Sequence, residues 1–382
     1  MVQRIFQFSY RYAPFVIGVF LLLTGLSLWE ASRLQIDVST DKLIPQDSPA
    51  RATYEAIREE FGSDRMAVIF VEDEKLFTPE KLARLKELHQ ELRKLKQVQR
   101  PEDIFTANNI HGDGGWVDTA PLMQSVPETQ KEADTRKARA QGNPMLVRSV
   151  VSEDASATLL TLYLEPSEAD PSGMDREIYE QIEAILVNYE GDFDQIFQVG
   201  SPALHVWMSD FILNDQIILL PLAMVILVGL IGLMMGSLQA SIIPVINAVI
   251  ATAITFGFMA WMGIPISMLN YIVPALILII GATEDVHILT EYRECKDEGL
   301  EGITGVEGIA RRIGLTLMLT GITTTLGFAV TGLNAITIME EFGLCAAFGM
   351  AARFLVSLIF LPAYLRYFGW AIKGQPHGAV EE

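Results

Sequence analysis

The sequence predicts a polytopic α-helical membrane protein that carries an α+β domain outside the membrane. Long, nearly uncharged apolar stretches occupy both ends of the chain, whereas residues 31–212 have the mixed composition of a soluble domain. A helix needs about 20 apolar residues to cross roughly 30 Å of hydrocarbon. Six segments reach or approach this length: residues 13–29, 212–235, 242–262, 268–288, 314–333 and 338–364.

These segments divide the chain into four predicted parts. The parts are an N-terminal cytoplasmic segment with the first span (1–30), an extracytoplasmic domain (31–212), a five-helix transmembrane bundle (213–368) and a cytoplasmic tail (369–382). Basic residues set the orientation, because Lys and Arg are enriched on the cytoplasmic side of membrane proteins. Arg4 and Arg11 precede the first span, and Arg311 and Arg312 lie between the fourth and fifth. We therefore expect a multi-pass protein of the cell (inner) membrane, with both termini cytoplasmic.

The first span has one alternative interpretation, as a cleaved signal peptide. Its length and basic flank fit that interpretation, but no Ala-x-Ala-like cleavage site occurs near Trp29. An uncleaved membrane anchor is therefore favoured.

The soluble stretch predicts a ferredoxin-like, split βαβ domain. Its expected elements are a short helix over 51–63, a strand over 66–71, a helix from Thr78 to about residue 95, paired strands over 144–152 and 158–164, a helix over 175–189 and a strand over 195–199. Two successive strand–helix–strand units are typical of that fold. Residues 108–142 are expected to be an insertion.

Composition excludes several classes of function. The formal net charge of −19 argues against nucleic-acid binding. The histidines are scattered without metal-ligand spacing, and no nucleophile–base set is evident. We therefore expect no catalytic site, no metal and no cofactor, and a chain that is not an enzyme. Both cysteines, Cys295 and Cys345, lie in the membrane half, so the outer domain is expected to fold without disulfides.

The most informative residues are ionisable groups in the fourth span. Glu284, Asp285, His287 and Glu291 follow an apolar run that continues around them. A charge near the bilayer centre costs about 2.5–3.5 kcal/mol on insertion scales and therefore marks a candidate functional site. At 100° per residue, Glu284, His287 and Glu291 share one helix face, while Asp285 points about a quarter-turn away. His287 and Glu291 are predicted to lie at the cytoplasmic mouth.

A second charge lies at a matching depth in the sixth span. Asp285 and Arg353 come similar distances into spans of the same direction, so the rise per residue places them at similar depth. The fifth span adds hydroxyls, including Thr320 and Thr324, that can bond across helices. Two interpretations stay open: Asp285 and Arg353 form a satisfied buried pair, or Asp285, Glu284, Arg353, Thr320 and Thr324 form a proton relay. The threonines alone are equally consistent with helix packing.

Several motifs now point to a family. They are GATED at 281–285 with EYRE at 291–294, RRIG at 311–314 with LTGITTTLGF at 319–328, EFG at 341–343 and LPA at 361–363. With one span, an outer domain and five further spans, the chain resembles one half of an RND-superfamily transporter, closest to the MMPL-like, hydrophobe-exporting branch. The five-helix part is also similar to sterol-sensing domains.

The resemblance implies proton-driven movement of a hydrophobic or amphiphilic molecule, with Asp285 as the proton carrier. Two departures stand out. The family motif usually continues Asp-Tyr, whereas Val286 follows here, and members usually carry two halves where this sequence has one. The expected partners are a lipid or similar molecule, protons, the membrane, and a second copy or the second half of a longer transporter. The alternative is a lipid- or sterol-sensing protein, or an assembly scaffold, that transports nothing.

Overall fold

The computed structural model describes residues 1–45, 48–61, 65–113, 116–165 and 171–369. The predicted cytoplasmic tail lies outside these residues except for Gly369. The chain forms two compact units: one comprises Met1–Ser48 and Phe211–Glu382, the other Pro49–Asp210.

The elements of the described residues are numbered here in chain order. The helices are α1 (Val2–Arg11), α2 (Ala13–Ala31), α3 (Pro49–Phe61), α4 (Pro79–Leu92), α5 (Gln130–Gly142), α6 (Pro171–Leu186), α7 (Ser201–Met235), α8 (Leu238–Met262), α9 (Val273–Asp297), α10 (Gly302–Arg312), α11 (Gly314–Thr331), α12 (Thr337–Leu355) and α13 (Leu361–Phe368). The strands are β1 (Met66–Glu72), β2 (Val98–Glu102), β3 (His111–Asp113), β4 (Trp116–Asp118), β5 (Ala157–Leu164) and β6 (Gln195–Gly200).

The six predicted spans are confirmed as helices. Among the described residues, six helical segments are long and apolar enough to cross a membrane: Ala13–Ala31, Ser201–Met235, Leu238–Met262, Asn270–Asp297, Gly314–Thr331 and Thr337–Phe368. The last of these is not a regular helix throughout, because a π-helical turn over Val356–Phe360 joins α12 to α13. The chain is therefore a polytopic membrane protein, as its hydropathy predicts.

Two helices of this unit were not expected from the sequence. Residues before the first span form α1, whose buried side chains are Val2, Phe6 and Ser9. Residues between the fourth and fifth spans form α10, which packs against α1. Both helices are short and amphipathic, so a search for long apolar runs passes over them.

Glycines allow the closest approaches between the spanning helices. A Cβ atom on Gly257 of α8 would lie 2.7 Å from the Cα atom of Ser27 on α2. On α12, a Cβ atom on Gly343 would lie 2.1 Å from the backbone nitrogen of Gly332. Small residues at helix interfaces are how membrane helices gain packing without a hydrophobic driving force. Helix α12 consequently contacts α8, α9 and α11.

The second unit is built on a four-stranded sheet with strand order β2-β5-β1-β6, in which all neighbours are antiparallel. One face is buried: Ile69 and Val71 of β1 and Leu160 and Leu162 of β5 have no exposed surface. Helices α4 and α6 contact each other and strands of this sheet. Their apolar stripes, such as Leu82, Leu85, Leu88 and Leu92 of α4, join the same core.

Helix α4 begins where the sequence predicts. The Thr78 side chain accepts a hydrogen bond from the backbone N–H of Lys81 at 3.4 Å, and Pro79 occupies the first turn. This is the N-cap arrangement that satisfies an otherwise unpaired helix donor. The predicted helix over 175–189 begins earlier, within α6, and ends in a 3₁₀ turn over Val187–Tyr189.

The predicted strand over 144–152 is wrong. This segment forms turns with isolated bridges at Val147 and Val151, and Arg148 has a positive φ of 66°. Its apolar side chains Leu146, Val150 and Val151 are buried because the turns fold them into the core. Strand β5 pairs with β1 on one side and, on the other, with β2, a polar edge strand that includes Pro101 and that the sequence pattern did not reveal. Edge positions tolerate proline since one side of the strand makes no ladder bonds.

The turn that precedes β5 supplies a pH-sensitive carboxylate. Asp154 accepts hydrogen bonds from the Ser152 hydroxyl at 2.6 Å, from the Ser156 N–H at 3.1 Å and from the Ser156 hydroxyl at 2.9 Å. These bonds, the Ser152 hydroxyl foremost, lower the pKa of Asp154 from its ordinary value of 3.8 to about 2. Because the folded-state pKa is depressed, the resulting stability is present above a pH of about 4 and is lost as the pH falls through about 2.

We expect the Ser152→Ala substitution to raise the pKa of Asp154 towards its ordinary value, since it removes the strongest of these donors. Carboxyl-detected NMR titration of the full chain in detergent measures this directly. Ser149→Ala is the matched control, because within the described residues the Ser149 hydroxyl donates only to the backbone carbonyls of Met145 and Leu146. A wild-type Asp154 that titrates near 3.8 would contradict the assignment.

Candidate functional site

Asp285 is a fully buried carboxylate in the middle of the helix bundle. It lies on α9 with 0% of its surface exposed. Its Oδ2 atom accepts hydrogen bonds from the Arg353 Nη2 atom at 2.6 Å and from the Asn247 Nδ2 atom at 2.9 Å. Its Oδ1 atom accepts one from the Ser357 hydroxyl at 2.8 Å. Three donors from α8, α12 and the π-helical turn thus converge on one carboxylate.

Arg353 supplies the positive charge that pairs with Asp285, and a glycine on α9 leaves space for its side chain. Its side chain is 1% exposed, and its Nη1 atom also donates to the Ser357 hydroxyl at 2.7 Å. The guanidinium reaches Asp285 by crossing Gly281, where an added Cβ atom would lie 2.0 Å from the Arg353 Nε atom. Gly281 is one helical turn before Asp285, so the small residue makes room for the side chain that neutralises the acid.

Asn247 and Ser357 complete the site and were missed by sequence reasoning. Asn247 has no exposed surface, and Ser357 is 2% exposed. A signal was present for each. Asn247 is an amide inside the otherwise apolar span 242–262, and Ser357 follows Arg353 by four residues, which is the spacing of neighbours on one helix face. The π-helical turn that contains Ser357 is a feature often found at functional sites.

The network leaves two polar atoms without a partner among the described residues. These are the Arg353 Nε atom and the Asn247 Oδ1 atom, both buried. A buried polar atom without a hydrogen bond costs about 1–3 kcal/mol. Arg353 therefore keeps one unused donor and Asn247 one unused acceptor. With these atoms the same side chains can form a different set of hydrogen bonds.

Four of the other predicted site residues lie in a separate cavity of about 540 Å³ between α9 and α11. Glu284, His287, Glu291 and Thr320 all line it, so the structure brings four of the seven predicted residues together here. The cavity is also lined by Ile279, Ile280, Thr283, Thr290, Glu294, Ile313, Thr316 and Leu317.

Glu284 and Asp285, although adjacent in sequence, face different sides of α9. Glu284 is on the cavity side, and Asp285 is in the network with Arg353. Thr324 lies one turn beyond Thr320 on α11 and belongs to neither group. Within the described part of the chain, neither threonine hydrogen-bonds to Asp285. Six of the seven residues therefore divide between two sites on different sides of α9, and Thr324 belongs to neither.

At one end of the cavity, Glu291 is held by an ion pair with Arg312. The Arg312 Nη1 atom donates to the Glu291 carboxylate at 3.1 Å, and its Nη2 atom bonds to Glu298. Glu291 is thus held at the end of α10, on the side of the bundle where the sequence predicts a mouth. Among the described residues, no group of three His, Cys, Asp or Glu side chains is placed to hold a metal ion. That the chain uses no metal or cofactor and is not an enzyme stays a prediction.

Chemically, the network joins a buried carboxylate to a buried cation. The carboxylate accepts hydrogen bonds from three donors, one of them a cation, and charge-assisted hydrogen bonds are roughly twice as strong as neutral ones. Protonation of Asp285 would remove one acceptor position and loosen its bond to Arg353. Loss of the negative charge would therefore change the contacts among α8, α9 and α12.

The fold and site define an integral membrane protein with six spans, an intervening α+β domain and an ion pair within its bundle. Comparison with known proteins identifies the family. The chain belongs to the MMPL family, whose model matches residues 42–381, and the resemblance found in the motifs is thereby confirmed. It is also similar to MJ1562 of Methanocaldococcus jannaschii, which is named as a membrane protein. The two are 23% identical over 384 residues, covering 96% of this chain and 93% of the relative.

Proposed function

We propose that this protein exports hydrophobic or amphiphilic molecules, such as lipids, by the RND-type mechanism, with protons moving down their gradient through Asp285. Membership of the MMPL family supports transport of hydrophobic substances. The observation that carries the proton-coupled mechanism is the buried Asp285–Arg353 pair, with its added bonds to Asn247 and Ser357. An acid paired in this way can bias a packed helix interface by binding and releasing a proton.

The available driving force is sufficient for this task. One proton crossing about 150 mV yields roughly 3.5 kcal/mol, which supports about a 300-fold substrate gradient. Protons would reach Asp285 when its bond to Arg353 opens, and the Arg353 guanidinium would stay within the network through Ser357. Glu284, on the cavity side of α9, and Thr320 would carry protons or water towards the site from the α9–α11 cavity.

We also propose that the α+β domain handles substrate and has the ferredoxin-like topology. The strand order β2-β5-β1-β6, with α4 between β1 and β2 and α6 between β5 and β6, supports that topology. The basic residues that flank the spans favour a cell inner membrane protein with cytoplasmic termini and an extracytoplasmic α+β domain.

The bundle is proposed to work with a second set of spans, from a second copy or from the other half of a longer protein. In the most apolar 18-residue stretch of α7, only 6% is buried, whereas 56% of the corresponding stretch of α8 is buried. Helix α7 is therefore the candidate surface for this pairing. An active chain that is strictly monomeric in lipid nanodiscs would contradict this part of the proposal.

The transport proposal is tested in proteoliposomes that contain the full chain and a fluorescent phospholipid analogue. We expect movement of the analogue between leaflets or vesicles when a pH gradient is imposed, and loss of that movement when a protonophore dissipates the gradient. Protein-free vesicles are the control. Binding of the analogue without gradient-dependent movement would overturn the proposal and favour the alternative of a lipid- or sterol-sensing scaffold.

A further inference from the structure

A second cavity, of about 430 Å³, has no ionisable side chain in its lining. It is lined by the first half of α2 together with residues of α1, α8 and α12, and its lining is almost entirely apolar. Phe15, Val19, Phe348 and Ala351 form part of its wall. The α2 residues that line it extend from Phe15 to Leu23, which is about 12 Å along the helix. The cavity is thus an elongated apolar slot parallel to a membrane span.

One end of this slot meets the exposed face of α1. Phe8 lines the cavity, and its ring packs against Tyr12 with 5.0 Å between centroids. The Arg11 guanidinium lies 6.0 Å from the centroid of the Tyr12 ring. At 100° per residue, Arg4, Phe8 and Arg11 fall on one face of α1, opposite the buried Val2, Phe6 and Ser9, and Tyr12 follows directly after the helix. Aromatic rings and cations on one exposed face are typical of helices that lie at a membrane interface.

A second guanidinium fixes this end of α1. The Arg366 Nη1 atom donates to the backbone oxygens of Tyr10 at 3.1 Å and of Arg11 at 2.5 Å. Arg11 is exposed and is connected to this end of the slot through the neighbouring rings of Tyr12 and Phe8, so a cation lies close to the apolar walls. Apolar walls with a cationic mouth are complementary to one class of molecule, an acyl chain with an anionic headgroup.

We propose that this cavity binds one acyl chain of an anionic phospholipid, with the headgroup phosphate held by Arg11 at the end of α1. Arginine suits this role because its planar guanidinium can donate two parallel hydrogen bonds to a phosphate. The site is separate from Asp285 and from the α9–α11 cavity, and it does not depend on the proposed transport. The bound lipid would fix α1 and α2 against α8 and α12.

The test counts lipids bound to the purified full chain by native mass spectrometry during titration with phosphatidylglycerol or phosphatidylcholine of identical chains. The wild type is expected to bind phosphatidylglycerol more tightly. Arg11→Gln should weaken that binding about fivefold, the factor that about 1 kcal/mol per basic residue corresponds to, and leave phosphatidylcholine binding unchanged. Arg33→Gln is the matched control, since Arg33 also lies over an aromatic ring, that of Trp29 at 4.6 Å, but at the opposite end of α2.

Filling the slot tests the acyl-chain site independently. Ala351→Trp and Val19→Trp place an indole in the cavity and should each reduce lipid binding about tenfold or more. Leu21→Trp, on α2 but outside the cavity lining, should not. Val19 is partly exposed, so this variant keeps the test decisive if Ala351→Trp folds poorly. Equal binding by all three variants would overturn the proposal, as would a dimer that only the cavity-filling variants lose, because that outcome assigns the cavity to a second copy of the chain.

Discussion

Asp285→Asn is expected to abolish gradient-driven lipid movement and to destabilise the bundle by about 3–5 kcal/mol, because it leaves the buried Arg353 charge without a counter-ion. The asparagine has nearly the shape of the aspartate and can still accept hydrogen bonds from Asn247 and Arg353. It has no titratable proton and no negative charge. The loss of stability is measured by unfolding the full chain in detergent, and the loss of movement in proteoliposomes under an imposed pH gradient.

The double variant Asp285→Asn/Arg353→Gln separates the structural role from the functional one. Both side chains are then neutral and can still hydrogen-bond, so most of the lost stability should return. Gradient-driven movement should not return, because no group in the network changes protonation. A double variant that moves lipid as the wild type does would show that the pair is only structural. Arg148→Gln is the control for a charge change, since Arg148 and its partner Glu153 are both largely exposed, and exposed pairs contribute little.

The membrane layout could be predicted from sequence because it depends on length and composition alone. Six apolar segments of about the required length sufficed to place the spans, and α2 and α8 fall where hydropathy places them. Amphipathic α1 and α10 were missed since their stability comes from packing on other helices. The strand expected at 144–152 was wrong for a related reason: an apolar pattern records burial, and turns can bury the same side chains.

The site was only partly predictable, because its charged residues stand out in an apolar sequence and its uncharged residues do not. Charges in an apolar span are costly, so Asp285 and Arg353 could be found by type, and equal depth correctly suggested that they meet. Asn247 and Ser357 carry no charge, and polar residues of that kind occur in many spans for packing alone. Whether Thr320 reaches the acid depends on how α11 lies against α9, which no single-chain pattern specifies. The structure places Thr320 at the cavity and leaves Thr324 outside both groups.

Gly281→Ala is the second substitution with a large expected effect, although it adds only one methyl group. The new Cβ atom would lie 2.0 Å from Nε, 2.6 Å from Cγ and 2.7 Å from Cδ of Arg353. The guanidinium has little room to yield, because Asp285 and Ser357 hold its terminal nitrogens. Overpacking of this kind costs about 1–3 kcal/mol. Displacement of Arg353 would also separate the ion pair, so gradient-driven movement should fall with stability.

Gly327→Ala is the matched control for this substitution. Gly327 also lies within a membrane helix, α11, and, apart from the adjoining backbone of that helix, no atom of the described residues lies within 4 Å of its added Cβ. There the alanine should be neutral or stabilise the helix by about 0.5–1 kcal/mol, because glycine loses more backbone freedom on folding. Both variants are compared by thermal unfolding in detergent and by the proteoliposome assay. If Gly281→Ala proves as stable and as active as Gly327→Ala, Arg353 does not cross Gly281 to reach Asp285, and the buried pair is not the centre of the mechanism.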